Sequence, residues 1–178
     1  MKSTQSLIAA RWHLVKTIAG RELSQRYRDS ALGIVWAVVL PLCLLAIYGF
    51  VFSQVFVARW DTPTGEKGQF ALLLFSGLII FNVFSETVNG ATSLIDRNAN
   101  LIRRTQFPAA MLPVSSLVAS LYTLGFSFVP FSVLYLALEG LPPWTFVLTP
   151  LVLMPLLTIT LGISFLLSAV AAFVRDLK

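Results

Sequence analysis

Gly20–Ala58, GRELSQRYRDSALGIVWAVVLPLCLLAIYGFVFSQVFVA, passes from a basic, hydroxyl-bearing preamble into a long apolar run. After Asp29 the next charge is Arg59, so 29 residues in succession carry none, whereas a helix needs only about 20 to cross a bilayer. Lipid cannot solvate backbone amides, so such a segment must satisfy them internally as a helix. The stretch reads as a transmembrane helix standing on a charged foot.

Composition extends that reading to the whole chain. Of 178 residues, 57% are hydrophobic and 12% charged, against an apolar share of about 45 to 50% in soluble domains. The net charge of +5 sits beside the apolar runs, which points to membrane topology and away from nucleic acid. Cys43, the single cysteine, lies inside the first span and reads as core filler. His13 is the single histidine, which leaves no multi-histidine metal site and no Ser/His/Asp set. No G-x-x-x-x-G-K-[ST] phosphate cradle occurs either. An enzyme is disfavoured, and energy for any uphill movement must come from another chain. A cleaved secretory signal has an apolar part of about 7 to 15 residues; the first span is longer and is expected to stay in the mature protein.

Before the first span, Leu7, Ile8, Trp12, Val15, Ile18 and Ala19 recur at steps of three and four, with Arg11 and Lys16 elsewhere. That pattern predicts an amphipathic helix, either lying at the membrane interface or packed on the protein. Arg21, Glu22, Arg26, Tyr27, Arg28 and Asp29 follow as a charged anchor. The first span is expected over residues 31–57, with Pro41 inside it. Tyr48, Phe52 and Phe56, at i, i+4 and i+8, form an aromatic stripe that suits packing, an interfacial belt or a ligand track.

A polar turn, 59–69, leads to a second span over 70–93 that carries Glu86. An ionisable residue in a span is a functional candidate. Glu86 lies about 24 Å from Phe70 along the helix, in a hydrocarbon core about 30 Å thick, which puts it near the inner interface. A water-reachable structural role and a pathway or coupling role both remain open for it. Asp96–Pro113, DRNANLIRRTQFPAAMLP, brings Arg97, Arg103 and Arg104 around Leu101 and Ile102, a pattern that suits docking into another protein's groove or a merely solvated connection. Spans three and four are expected over 114–138, with Pro130, and 145–173, separated by the turn Glu139–Trp144. Thr160, Ser164, Ser168 and Ala172 make a small-residue seam. Eleven Lys and Arg fall on one side of this arrangement and two on the other, so both termini are expected in the cytoplasm. The fold class is an all-α polytopic bundle of four transmembrane helices with an N-terminal interfacial helix.

Arg21-Glu22-Leu23, Arg26-Tyr27-Arg28, Ser30, Leu32-Gly33, Trp36, Pro41-Leu42 and the stretch from Tyr48 to Phe52 look like the start of the permease subunits of type-2 ABC transporters that export polysaccharide: O-antigen, capsular polysaccharide and teichoic acid exporters. Asn100-Leu101-Ile102-Arg103-Arg104, with Phe107-Pro108 and Leu112-Pro113, resembles that family's connection between its second and third spans, and Phe173–Leu177 its exit from the fourth.

The resemblance implies a bacterial inner-membrane permease that pairs with a second copy and with two cytoplasmic ATP-binding subunits. It would bind no cofactor itself, ATP and Mg belonging to the partner. Its cargo would be a lipid-linked glycan. Asp96, Arg97, Asn100, Leu101, Ile102, Arg103, Arg104 and Phe107 would form the contact with the ATPase. Arg21, Arg26, Tyr27 and Arg28 would face the lipid headgroup, and Tyr48, Phe52 and Phe56 would line the glycan path. Family members usually carry two further spans, so a complete pathway is not expected from these 178 residues alone. The alternatives are a membrane scaffold and an ABC exporter of drugs or other hydrophobic compounds.

Overall fold

The computed structural model describes residues 2–28, 30, 32–51, 67–99, 101–102 and 108–174. Within them lie six α-helices: α1 Lys2–Arg26, α2 Trp36–Phe50, α3 Lys67–Ala91, α4 Leu94–Arg97, α5 Met111–Leu138 and α6 Thr149–Ala171. Short 3-10 segments at Gly33–Val35 and Trp144–Leu148 precede α2 and α6. No strand occurs among the described residues. The protein is an all-α membrane helix bundle.

α1 does not end where the apolar pattern fades but runs on through the charged anchor. Val15, Ala19 and Leu23, at i, i+4 and i+8, are its buried stripe, and the helix packs on α5. Trp12, expected on the apolar face, stands half exposed beneath the Lys16 ammonium, 5.6 Å from the ring centroid. The side chains of Leu7 and Ile8 lie outside the described residues.

The foot joins the first span through a turn that its motif encodes. Ser30 Oγ donates to the Tyr27 carbonyl at 2.8 Å, and the Gly33 amide donates to the Ser30 carbonyl at 3.1 Å. Gly33 has φ 53°, a left-handed conformation that glycine adopts without the Cβ clash. The helix of the first span therefore begins at Trp36, later than expected. Residues 52–57 of that span, the loop 59–66 and the chain end 175–178 fall outside the described residues.

Among the described residues, three helical stretches are long and apolar enough to cross a membrane: Leu72–Ala91, Met111–Leu138 and Trp144–Ala171; the shorter apolar helix Trp36–Tyr48 joins them. α3 stops at Ala91, where Ser93 turns back on the Gly90 carbonyl, so the helix does not reach residue 93. α5 starts at Met111, three residues after Pro108, and holds Pro113 in its first turn, where no intrahelical amide is missed.

α5 is the hub, packing on α1, α2, α3 and α6. Ser115, Ser116, Ala119 and Ser120 of α5 are fully buried. On α6 the seam is Thr160, Ser164, Ser168 and Ala171; Ala172 is exposed. A step of three restores the face from which steps of four drift on a helix of 3.6 residues per turn. Hydrocarbon gives little drive for apolar burial, so small residues that admit close backbones carry the contact. Thr87 and Thr160 hydroxyls donate to their own i−4 carbonyls at 2.8 and 2.7 Å, which satisfies them without a partner helix. Cys43 is exposed on α2, not core filler.

Candidate functional site

The charged face of α1 begins with a helical spacing. Glu22 and Arg26, four apart, share one face, and Leu23 is buried on another, which turns both charges toward the ends of α3 and α5. The Arg26 guanidinium is shared: Nη2 lies 3.7 Å from Glu22 Oε1, and Nη1 donates to Glu86 Oε2 of α3. Glu22 Oε1 also accepts from Ser116 Oγ of α5 at 3.1 Å. Three helices meet in this cluster.

Its exposure is low for charged groups: the side chains of Arg26, Glu86 and Glu22 are 23%, 30% and 13% exposed. An exposed pair contributes about 0 to 1 kcal/mol, whereas removing one partner of a desolvated pair leaves a costly unmatched charge. Tyr27 follows Arg26 and is half-buried. Burial pushes its phenol above the ordinary value of 10.0, the Glu86 carboxylate adds to the rise, and Arg26 opposes it.

The segment expected to contact an ATPase begins beside the same helix. Asp96 and Arg97 are exposed on α4, and Leu101 and Ile102 are half-buried, their amides donating to the Asn98 carbonyl at 3.0 and 3.1 Å. Ile18, Arg21, Glu22 and Gln25 of α1 line one wall of a small cleft whose other wall is Leu94, Arg97, Asn98 and Leu101. Foot and connection, two separate sites in the sequence, form one surface here. Asn100, Arg103, Arg104 and Phe107 lie outside the described residues.

Among the cations expected at the lipid headgroup, Arg21 and Arg28 are exposed and Arg26 is committed to the two carboxylates. Tyr48 is half-buried on α2; Phe52 and Phe56, the rest of the proposed glycan stripe, lie outside the described residues. Sequence reasoning missed Glu22 and Ser116 as partners. The i, i+4 spacing of Glu22 and Arg26 was visible, but nothing in the chain announced that Ser116 or Glu86 would meet them.

α3 and α5 run antiparallel, so the other end of the bundle gathers the start of α3, the end of α5 and the start of α6. Leu72, Ile79, Phe128, Phe131, Tyr135 and Phe146 line a cavity there of about 450 Å³, with Glu139 also on its wall. Tyr135 and Phe146 approach to 5.4 Å between ring centroids, Phe128 and Phe131 to 5.6 Å. Among the described residues no group of three or more His, Cys, Asp or Glu is placed to hold a metal ion.

The chain has relatives of known naming. An O-antigen export system permease protein, RfbA, of Myxococcus xanthus is 33% identical over 165 residues, which is 93% of this chain and 61% of that protein. Two proteins of the same name from Klebsiella pneumoniae are 29% and 28% identical over 171 residues, with the same coverage. The chain thus spans about three fifths of the length of these relatives. A profile described as ABC-2 type transporter matches residues 13–177, foot, clustered charges and membrane helices together, and the chain belongs to that family.

Proposed function

We propose that this chain is the permease part of an ATP-driven exporter that moves a lipid-linked polysaccharide of the O-antigen kind across the bacterial inner membrane. The observation that carries the reading is the match over 93% of the chain to proteins named as O-antigen export permeases. The cleft between α1 and the Leu94–Leu101 stretch supports the placing of the partner. In this reading the foot end faces the cytoplasm, and two ATP-binding subunits press on Asp96, Arg97, Leu101, Ile102 and the residues up to Phe107. ATP and Mg are held by those subunits. A second copy of the permease completes the assembly, and the exposed Arg21 and Arg28 guanidiniums meet the phosphate of the carrier lipid through charge-assisted hydrogen bonds.

Aromatic faces, which offer sugar C–H edges a contact without directional hydrogen bonds, suit a cargo that must slide. Tyr48, Phe52 and Phe56 are the proposed sliding face. The test is complementation with the full reading frame that contains this chain, together with its ATP-binding partner, in a strain lacking its own glycan export permease. Surface glycan is expected to return. Glycan held inside the cell despite a membrane-inserted protein would overturn the reading, and drug resistance without glycan would transfer it to an exporter of hydrophobic compounds.

A further inference from the structure

Glu86 and Arg26 stand out because they join helices that otherwise have little to do with each other. α1 packs on α5 through Val15, Ala19 and Leu23, and α3 is not among its principal neighbours. The guanidinium of Arg26 spans that gap with one terminal nitrogen on each carboxylate. The planar fork of Arg suits this division, which a single ammonium nitrogen cannot reproduce. Among the described residues Arg97, by contrast, donates to Ser93, one turn back in its own segment. Losing Arg26 would leave Glu22 and Glu86, both partly desolvated, with Ser116 on one of them and, among the described residues, no cation between them.

We propose that Arg26 is a positioning residue, the tie by which α1 and α3 move as one body. A displacement delivered at the α1–α4 cleft, which is lined by Glu22 itself, then reaches the second span through Arg26 and Glu86. The assignment rests on the reading of the chain as an ATP-driven permease. It gives the Glu86 carboxylate a mechanical role in place of a cargo-binding one.

The experiment uses the full-length protein with its ATP-binding partner in proteoliposomes and reads carrier-linked glycan moved per ATP hydrolysed. Arg26→Glu and Glu86→Arg are each expected to lower that ratio about tenfold, and the combined swap to recover it to within about threefold of the unsubstituted protein. A combined variant no better than the worse single one overturns the tie, as does an unchanged ratio in either single variant. A second arm needs no cargo: Arg26→Cys with Glu86→Cys, in a Cys43→Ala background, is treated with a short thiol cross-linker in native membranes. A cross-link between positions 26 and 86 is expected, and its absence overturns the tie. If the cross-link forms while the unsubstituted complex moves no glycan, the tie stands and the exporter reading falls.

Discussion

At the foot end Thr87, Ala91, Ser115 and Ser116 are wholly buried, and α1, α3 and α5 come close enough for a guanidinium, two carboxylates and a hydroxyl to meet. At the far end the same α3 and α5 are held around Phe75, Phe128, Phe131, Tyr135 and Phe146, beside a cavity of about 450 Å³. Small side chains permit short, directional bonds; large rings set a separation and impose no such bonds. In hydrocarbon, where apolar burial contributes little, the end with small residues and ion pairs is the one that fixes how the helices stand.

Overpacking one end and emptying the other tests that contrast. Ala91→Leu forces extra methylenes into a site that is 0% exposed and is expected to lower stability by about 3 kcal/mol. Phe131→Ala, 6% exposed in the native protein, is expected to cost about 1 to 2 kcal/mol, because the transfer from water that dominates such losses in soluble proteins is largely missing in a bilayer. Thermal unfolding of the full-length protein in detergent measures both. A larger loss from Phe131→Ala would reverse the roles given to the two ends.

A smaller effect reports on the charged cluster itself. The Tyr27 phenol is raised above 10.0 first by burial and then by the Glu86 charge. A raised value favours the neutral phenol in the folded protein, so its contribution is fully present below pH 10.0 and fades as pH climbs through the folded value. Ultraviolet titration, taken as the difference from Tyr27→Phe, is expected to find a midpoint above 10.0. Glu86→Gln should move it downward without abolishing the shift, since burial remains. A midpoint unmoved by Glu86→Gln would detach Tyr27 from the carboxylate.

Much of this architecture was legible in the residues. Unbroken apolar length located the helices that became α2, α3, α5 and α6, because the backbone has no other solution in lipid. Their ends were less legible: α3 stops at Ala91 because Ser93 turns back on Gly90, a local bond that hydropathy does not register. The motif from Arg21 to Trp36 could be recognised before it could be explained. Its parts are a buried Leu23, an Arg26 shared by two carboxylates and a Ser30–Gly33 turn, and of these the turn and the Glu22–Arg26 spacing are local matters. The meeting of Arg26 with Glu86, 60 residues on, and of Glu22 with Ser116, 94 residues on, depends on how three helices pack. Cys43 failed as a core residue for the same reason: an apolar helix in lipid does not reveal which face is covered.

The central claim is that the foot end meets a cytoplasmic partner, and the side of the membrane on which it lies tests this most directly. Single cysteines replacing Arg97 at the foot end and Leu141, 90% exposed in the opposite turn, are introduced into Cys43→Ala and treated with a membrane-impermeant thiol reagent. The account predicts that position 97 labels in inside-out vesicles and stays dark in intact cells stripped of any outer barrier, with position 141 showing the reverse. Labelling of position 97 from outside the cell would put the cleft beyond the reach of any ATP-binding subunit and contradict the account.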